Sequence, residues 1–166
     1  MSKLIIRPAE LTDVPTIMQF IIDLAVYEKA VEEVVSNEEH IIKALFCEQA
    51  RAFGLIAEVD GTAVGFAVYF YNYSTWLGKH GIYLEDLYVT PDSRGLGAGK
   101  ALLQRLAQLA VENDCHRLEW SVLDWNEPAI QFYKAMGAVA MDEWTVYRLT
   151  GKALKQFASD DASTLD

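Results

Sequence analysis

The chain has 166 residues, 52% of them hydrophobic and 23% charged, with ten glycines and four prolines. That is the composition of one globular domain long enough to bury a core, and it excludes disordered, collagen-like and disulfide-scaffold classes. Fourteen Lys and Arg stand against twenty-four Asp and Glu, a formal charge of −10, whose field repels phosphate backbones and anionic lipid and favours cationic ligands. No nucleic-acid or membrane partner is therefore expected. The start M-S-K-L-I-I-R has no leader pattern, and no apolar run approaches the roughly 18–20 residues of a membrane span, so a cytoplasmic protein is expected.

In chain order, Leu4-Ile5-Ile6 before Arg7-Pro8 predicts a short strand. Thr12 or Asp13 then caps a helix whose Val14, Ile17, Ile21, Leu24 and Ala25 recur on one face and which ends near Tyr27-Glu28. Ser36 with Glu39 reads as a capping box before a second helix carrying Ile41, Ile42, Leu45 and Phe46, with Cys47 as a core residue at its end. From Ala52 the pattern becomes that of strands. Two runs meet at Asp60-Gly61, a tight-turn signal, and a third, Ile82 to Val89, lies between Gly81 and Pro91. Leu102, Leu106, Leu109 and Ala110 mark a helix to about Glu112, followed by a strand from Arg117. Asn126 caps a further helix with Pro128 in its first turn and Gly137 past its end; a last strand is expected from Glu143 to Leu149, then a short helix. This order predicts an α/β domain over residues 1–158, a mixed and mostly antiparallel sheet flanked by helices, with a polar tail, 159–166, read as disordered. Cys47 and Cys115 lie far apart, and none of the three histidines has metal-ligand spacing, so a reduced protein without metal is expected.

The most informative stretch is R-G-L-G-A-G-K, Arg94 to Lys100. Three alternate glycines between a strand and a helix leave backbone N–H groups free to form an anion-binding nest, with Arg94 and Lys100 beside it. Lys100 stands where a dinucleotide fingerprint needs its third glycine, and Arg94 and Ala101 break a Walker A loop, so both of those readings fail. Adjacent Glu85 and Asp86 interrupt an otherwise apolar strand, where alternation sends neighbours to opposite faces. Asn126 and Tyr133, seven residues apart, share a helical face.

These residues carry a resemblance. R-G-L-G-A-G after a strand resembles the R/Q-x-x-G-x-G/A pyrophosphate loop of the GCN5-related N-acetyltransferases, with Arg94, Gly97 and Gly99 at the pattern positions. Four further blocks, L-A-V-Y-E (24 to 28), Y-S-T-W-L-G-K (73 to 79), Y-L-E-D-L-Y-V (83 to 89) and W-N-E-P-A-I-Q-F-Y-K (125 to 134), are similar to the diamine and thialysine acetyltransferases, the spermidine/spermine acetyltransferase-like branch. The resemblance implies that fold, acetyl-CoA as cosubstrate, a homodimer, and direct attack of a small cationic amine on the thioester in a ternary complex. By the same resemblance, the backbone of Leu87, Tyr88 and Val89 holds the pantetheine arm, Arg94, Gly95, Leu96, Gly97, Ala98, Gly99 and Lys100 hold the pyrophosphate, and Asn126 contacts the cofactor. Tyr133 matches the acid that protonates the departing thiolate, and Glu85 the carboxylate that binds the amine or relays its proton. Tyr27, Glu28 and Trp76 match the amine side, and Asp86 is expected to line an acidic pocket with Glu28 and Glu85 beside Trp76. An ammonium of reference pKa near 10.4 must shed its proton before attack, and a phenol of about 10 can protonate a thiolate formed beside it, so the chemistry suits these residue types. Two departures stand out: Lys100 replaces a small hydroxyl residue, and Met141-Asp142-Glu143-Trp144 lacks a glycine before the tryptophan. A protein N-acetyltransferase and a non-catalytic CoA- or polyamine-binding module remain alternatives; the presence of both Glu85 and Tyr133 argues against the module.

Overall fold

The computed structural model describes residues 3–160 and divides into two compact units, residues up to 123 and from 124 onward. Of the tail expected over 159–166, residues 161–166 lie outside the described residues.

The first unit is built on a five-stranded sheet in sequential order: β1 (Leu4–Pro8), β2 (Phe53–Val59), β3 (Thr62–Ser74), β4 (Lys79–Val89) and β5 (Leu118–Trp120). The first four strands run antiparallel and β5 lies parallel to β4. The parallel step requires a crossover, supplied by α3 (Ala98–Glu112). β2 and β3 turn at Asp60 and Gly61, whose φ values of 51° and 83° are those of a primed hairpin turn.

Alternation along the strands builds a core on each face. On one face, Ile56, Phe66 and Tyr88 pack against Val14, Ile17 and Phe20 of α1 (Val14–Tyr27) and Ile41 of α2 (Glu38–Phe46). Phe20 lies 5.5 Å from Tyr88 and 5.7 Å from Phe66, ring centre to ring centre. Leu102, Leu103 and Leu106 of α3 are buried, as are Leu55 and Ala67, which alternation sends to the other face, and Leu84, which its register opposite Tyr69 places there too. Each such leucine contributes roughly 1.5–3 kcal/mol by leaving water.

Arg7 fastens β1 to its neighbours. Its guanidinium donates to both carboxylate oxygens of Asp13, at 2.7 and 2.9 Å, and to Glu58 at 3.0 Å. Asp13 also accepts from the Glu10 N–H at 2.7 Å, so its side chain serves this fork. The second helix is capped one residue later than the expected Ser36: Asn37 Oδ1 accepts from the His40 N–H at 3.0 Å, and Asn outcompetes Ser for the position three before that donor. Cys47 is exposed and not part of the core, because α2 ends at Phe46 and the chain there turns extended.

The second unit holds α4 (Glu127–Ala135) and α5 (Gly151–Ser159). The strand expected over 143–149 does not form: the segment has no strand pairing, and Trp144, Val146 and Tyr147 are 67%, 83% and 93% exposed. Alternation specifies how a strand would face but supplies no backbone for it to pair with.

Candidate active site

β4 organises the site in the first unit. Its pairing with β3 slips one residue: Leu84 faces Tyr69 and Asp86 faces Val68, so Glu85 is the extra residue of a bulge. Glu85 is exposed while Asp86 is half-buried, two residues from buried Tyr88 and therefore on the α1 face. Burial first, then the charges of Glu85 and Glu28, push the Asp86 carboxyl up to about 6. Burial also raises Glu28, the residue that follows α1. The structure thus brings Glu28 and Glu85 within electrostatic reach of Asp86.

Pairing of β4 with β5 stops at Leu84 opposite Trp120. From Asp86 to Val89, β4 is hydrogen-bonded as a strand to β3 alone, so the backbone of Leu87, Tyr88 and Val89 presents polar groups along an open edge. A single turn, Pro91–Ser93, then leads into the glycine loop. Gly95 and Gly97 adopt φ of 91° and 81°, the left-handed region where a side chain is strained, and a Cβ at either would meet no atom within 4 Å. The first helical closure of α3 runs from the Ala101 N–H to the Gly97 carbonyl at 2.9 Å, so the N–H groups of Ala98, Gly99 and Lys100 precede the helical ladder. Open space, forward N–H groups and the cations Arg94 and Lys100 together fit a diphosphate.

Beside the loop, a cleft of about 340 Å³ is lined by Asp23, Val26, Tyr27, Tyr88, Pro91 and Arg94. The Arg94 guanidinium sits over the Tyr27 ring, 5.4 Å from its centre. Asp23 was not singled out by the sequence pattern; its i,i+4 spacing to Tyr27 is the signal that places both on one face of α1. Trp76 lies elsewhere. It occupies the β3–β4 turn, 87% exposed, and the seven residues from Lys79 to Glu85 span roughly 20 Å of strand, so within one chain it does not join the carboxylates.

In the second unit, Asn126 is buried immediately before α4, and Tyr133 lies half-buried two turns along the same helix. The helix ends firmly: Gly137 donates to the Lys134 carbonyl at 3.0 Å and Ala138 to that of Tyr133 at 3.1 Å, the paired bonds of a Schellman ending. Among the described residues no cluster of three or more His, Cys, Asp or Glu could hold a metal ion, and no helix is long and apolar enough to cross a membrane.

The sequence model of the acetyltransferase (GNAT) family matches residues 21–138, well over half of the chain. The chain belongs to the GNAT family. Thialysine N-epsilon-acetyltransferase of Bos taurus is 36% identical to this GNAT chain, covering 95% of it and 99% of the relative. Spermidine/spermine N(1)-acetyltransferase-like protein 1 of Homo sapiens is 32% identical over 94% of the chain, which matches 24% of that longer protein. Among solved structures, an integron cassette protein from the mobile metagenome of V. cholerae superposes with a TM-score of 0.78 at 26% identity, covering 95% of this chain and 98% of the other. The α/β fold with a mostly antiparallel sheet is therefore the acetyltransferase fold, and the protein is an acetyltransferase of a family whose acyl donor is acetyl-CoA.

Proposed function

We propose that this acetyltransferase acylates a primary amine of a small cationic substrate, a diamine, polyamine or lysine/thialysine-like amino acid, by direct attack in a ternary complex. The observation that carries this reading is the carboxylate group at the β4 bulge. Burial, with added repulsion from Glu85 and Glu28, lifts Asp86 to about 6, and an ammonium placed beside these carboxylates offsets both by favouring the charged form. The names of the thialysine and spermidine/spermine relatives point the same way.

Acetyl-CoA, when bound, supplies the thioester carbonyl and the thiolate leaving group. In this reading Glu28 and Asp86 hold the ammonium, and exposed Glu85 takes its proton, directly or through water, so that the neutral amine is the nucleophile. The open edge at Leu87, Tyr88 and Val89 holds the pantetheine arm; Arg94 and the backbone from Gly95 through Leu96, Gly97, Ala98 and Gly99 to Lys100 hold the diphosphate, with Asn126 as a further contact. The Tyr133 hydroxyl gives its proton to the thiolate. The reading includes a homodimer, supported by the exposed strand-forming residues Trp144, Val146 and Tyr147.

Release of free thiol with a panel of amines tests this. Diamines, polyamines and thialysine-like amino acids are expected to turn over, and Tyr133→Phe to lower kcat by about 10²–10⁴ while leaving cofactor affinity nearly unchanged. Preferential acetylation of N-terminal peptides would replace the small-amine reading with a protein acetyltransferase. Binding without turnover for every amine would leave a CoA- or polyamine-binding module.

A further inference from the structure

We propose that Tyr27 is a positioning residue for the cofactor diphosphate: its ring holds the Arg94 guanidinium beside the glycine loop, so that the last turn of α1 takes part in acetyl-CoA binding. The inference rests on the reading that Arg94 and the glycine loop hold the diphosphate, and it gives Tyr27 a different task from the amine contact implied by the resemblance.

The cation–ring contact is set by two backbone segments. α1 is anchored in the core through Val14, Ile17 and Phe20, and Tyr27 stands seven residues beyond Phe20, two turns along the same face. The helix ends in a Schellman pair, Lys29 N–H to Val26 carbonyl at 3.1 Å and Ala30 N–H to Ala25 carbonyl at 2.9 Å, with Lys29 at φ 60°. Arg94 leaves the Pro91–Ser93 turn with its N–H on the Pro91 carbonyl at 3.3 Å. Between these points the guanidinium lies 5.4 Å from the Tyr27 ring centre, in the cleft that Tyr88 and Asp23 also line. Asp23 Oδ1 accepts from Gln19 Nε2 at 2.8 Å, so that oxygen is already engaged along α1.

A position over an aromatic ring suits a phosphate-binding arginine for a geometric reason. The guanidinium is planar, and its five N–H bonds lie in its plane; using its face on an aromatic ring leaves the whole donor rim available to anionic oxygens. The same contact removes side-chain freedom before the ligand arrives, so less ordering is left to oppose binding. A substrate ammonium seeking a ring face at Tyr27 would compete with a cation already seated there.

The test measures equilibrium binding of CoA and of S-acetylpantetheine, which lacks the diphosphate, by calorimetry. Tyr27→Leu is expected to weaken CoA binding by about 2- to 30-fold and to leave S-acetylpantetheine binding unchanged. Tyr27→Phe keeps the ring and is expected to stay within about twofold of the native protein. Arg94→Lys keeps the charge but loses the planar face; it is expected to weaken CoA, and adding Tyr27→Leu to it should cost nothing more. Native CoA affinity in Tyr27→Leu, accompanied by a raised amine KM, would overturn the proposal and return Tyr27 to the amine side. Equal losses in Tyr27→Phe and Tyr27→Leu would also overturn it, by assigning the effect to the hydroxyl. Native CoA affinity in Arg94→Ala would instead defeat the underlying reading of the loop, a result separable from the other two.

Discussion

Asp86 titrates near 6 because burial disfavours its charge and Glu85 and Glu28 add repulsion, and that shift has a sign that stability can report. Between pH of about 4 and 6 the folded chain holds a proton on Asp86 that the unfolded chain has released, so stability falls as pH rises through this window and stays lower above it. Asp86→Asn removes the penalty. Chemical denaturation is expected to find the variant more stable than the native protein at pH 7–8, by on the order of 2–3 kcal/mol, with the difference vanishing below pH 4. An equal difference at both ends of the range would mean that the carboxyl titrates normally. Asp13 runs the opposite way: hydrogen bonds from Arg7 hold its carboxyl low, so its contribution is present above about pH 4 and lost as pH falls further. One carboxylate thus stabilises the fold and the other strains it. A destabilising group retained at the β4 bulge is what a site for a cation requires, because the ligand supplies the missing charge.

At the level of elements, the open edge of β4 depends on how closely β3 approaches it from the other side. A Cβ at Gly65 would stand 2.6 Å from the Tyr88 carbonyl oxygen and 3.2 Å from Val89 Cγ2, so even alanine must push the end of β4 outward. Gly65→Ala is expected to destabilise the protein by about 1–3 kcal/mol and, by displacing the backbone at Tyr88 and Val89, to weaken S-acetylpantetheine binding. Unaltered thermal stability and pantetheine affinity would show that β4 yields at no cost. The strands and helices of the first unit were legible in the sequence because each carries a periodic apolar face, as in Val14, Ile17 and Ile21 of α1, and because Asp60-Gly61 and the Gly95–Gly99 run mark their own backbone conformations. The bulge at Glu85 was not legible: two adjacent carboxylates signal an interrupted strand, but which of them turns inward depends on the register with Val68 and Tyr69. The segment 143–149 misled for a related reason, since Trp144, Val146 and Tyr147 have strong β-propensity yet pairing is a property of two backbones. Trp76 matched a family position by its neighbours in sequence, and the length of the β3–β4 hairpin carries it away from the bulge.

For the molecule as a whole, charge acts at longer range than any of these contacts. Part of the net charge of −10 is carried by exposed Glu32, Glu33, Glu38 and Glu39, which follow the end of α1 and precede or open α2. Such a field draws cations toward the carboxylates and opposes the approach of an anionic cofactor, which Arg94 and Lys100 counter locally in the proposed site. The two substrates should therefore respond to salt with opposite signs. Raising ionic strength from about 0.01 M to 0.15 M shortens the screening length from roughly 30 Å to 8 Å. Over that range kcat/KM for a dicationic amine is expected to fall by about three- to tenfold, while that for an amine with a neutral tail falls less. The association rate of acetyl-CoA should rise over the same range, since screening removes the repulsion of the whole chain before it weakens contacts made at short distance. Glu28→Gln should reduce the salt response of the dication, because the carboxylate it removes belongs to the group proposed to attract the amine. Identical salt responses for dicationic and neutral-tailed amines would mean that the carboxylates at the β4 bulge do not select for charge, and the cationic-substrate reading would fall with them.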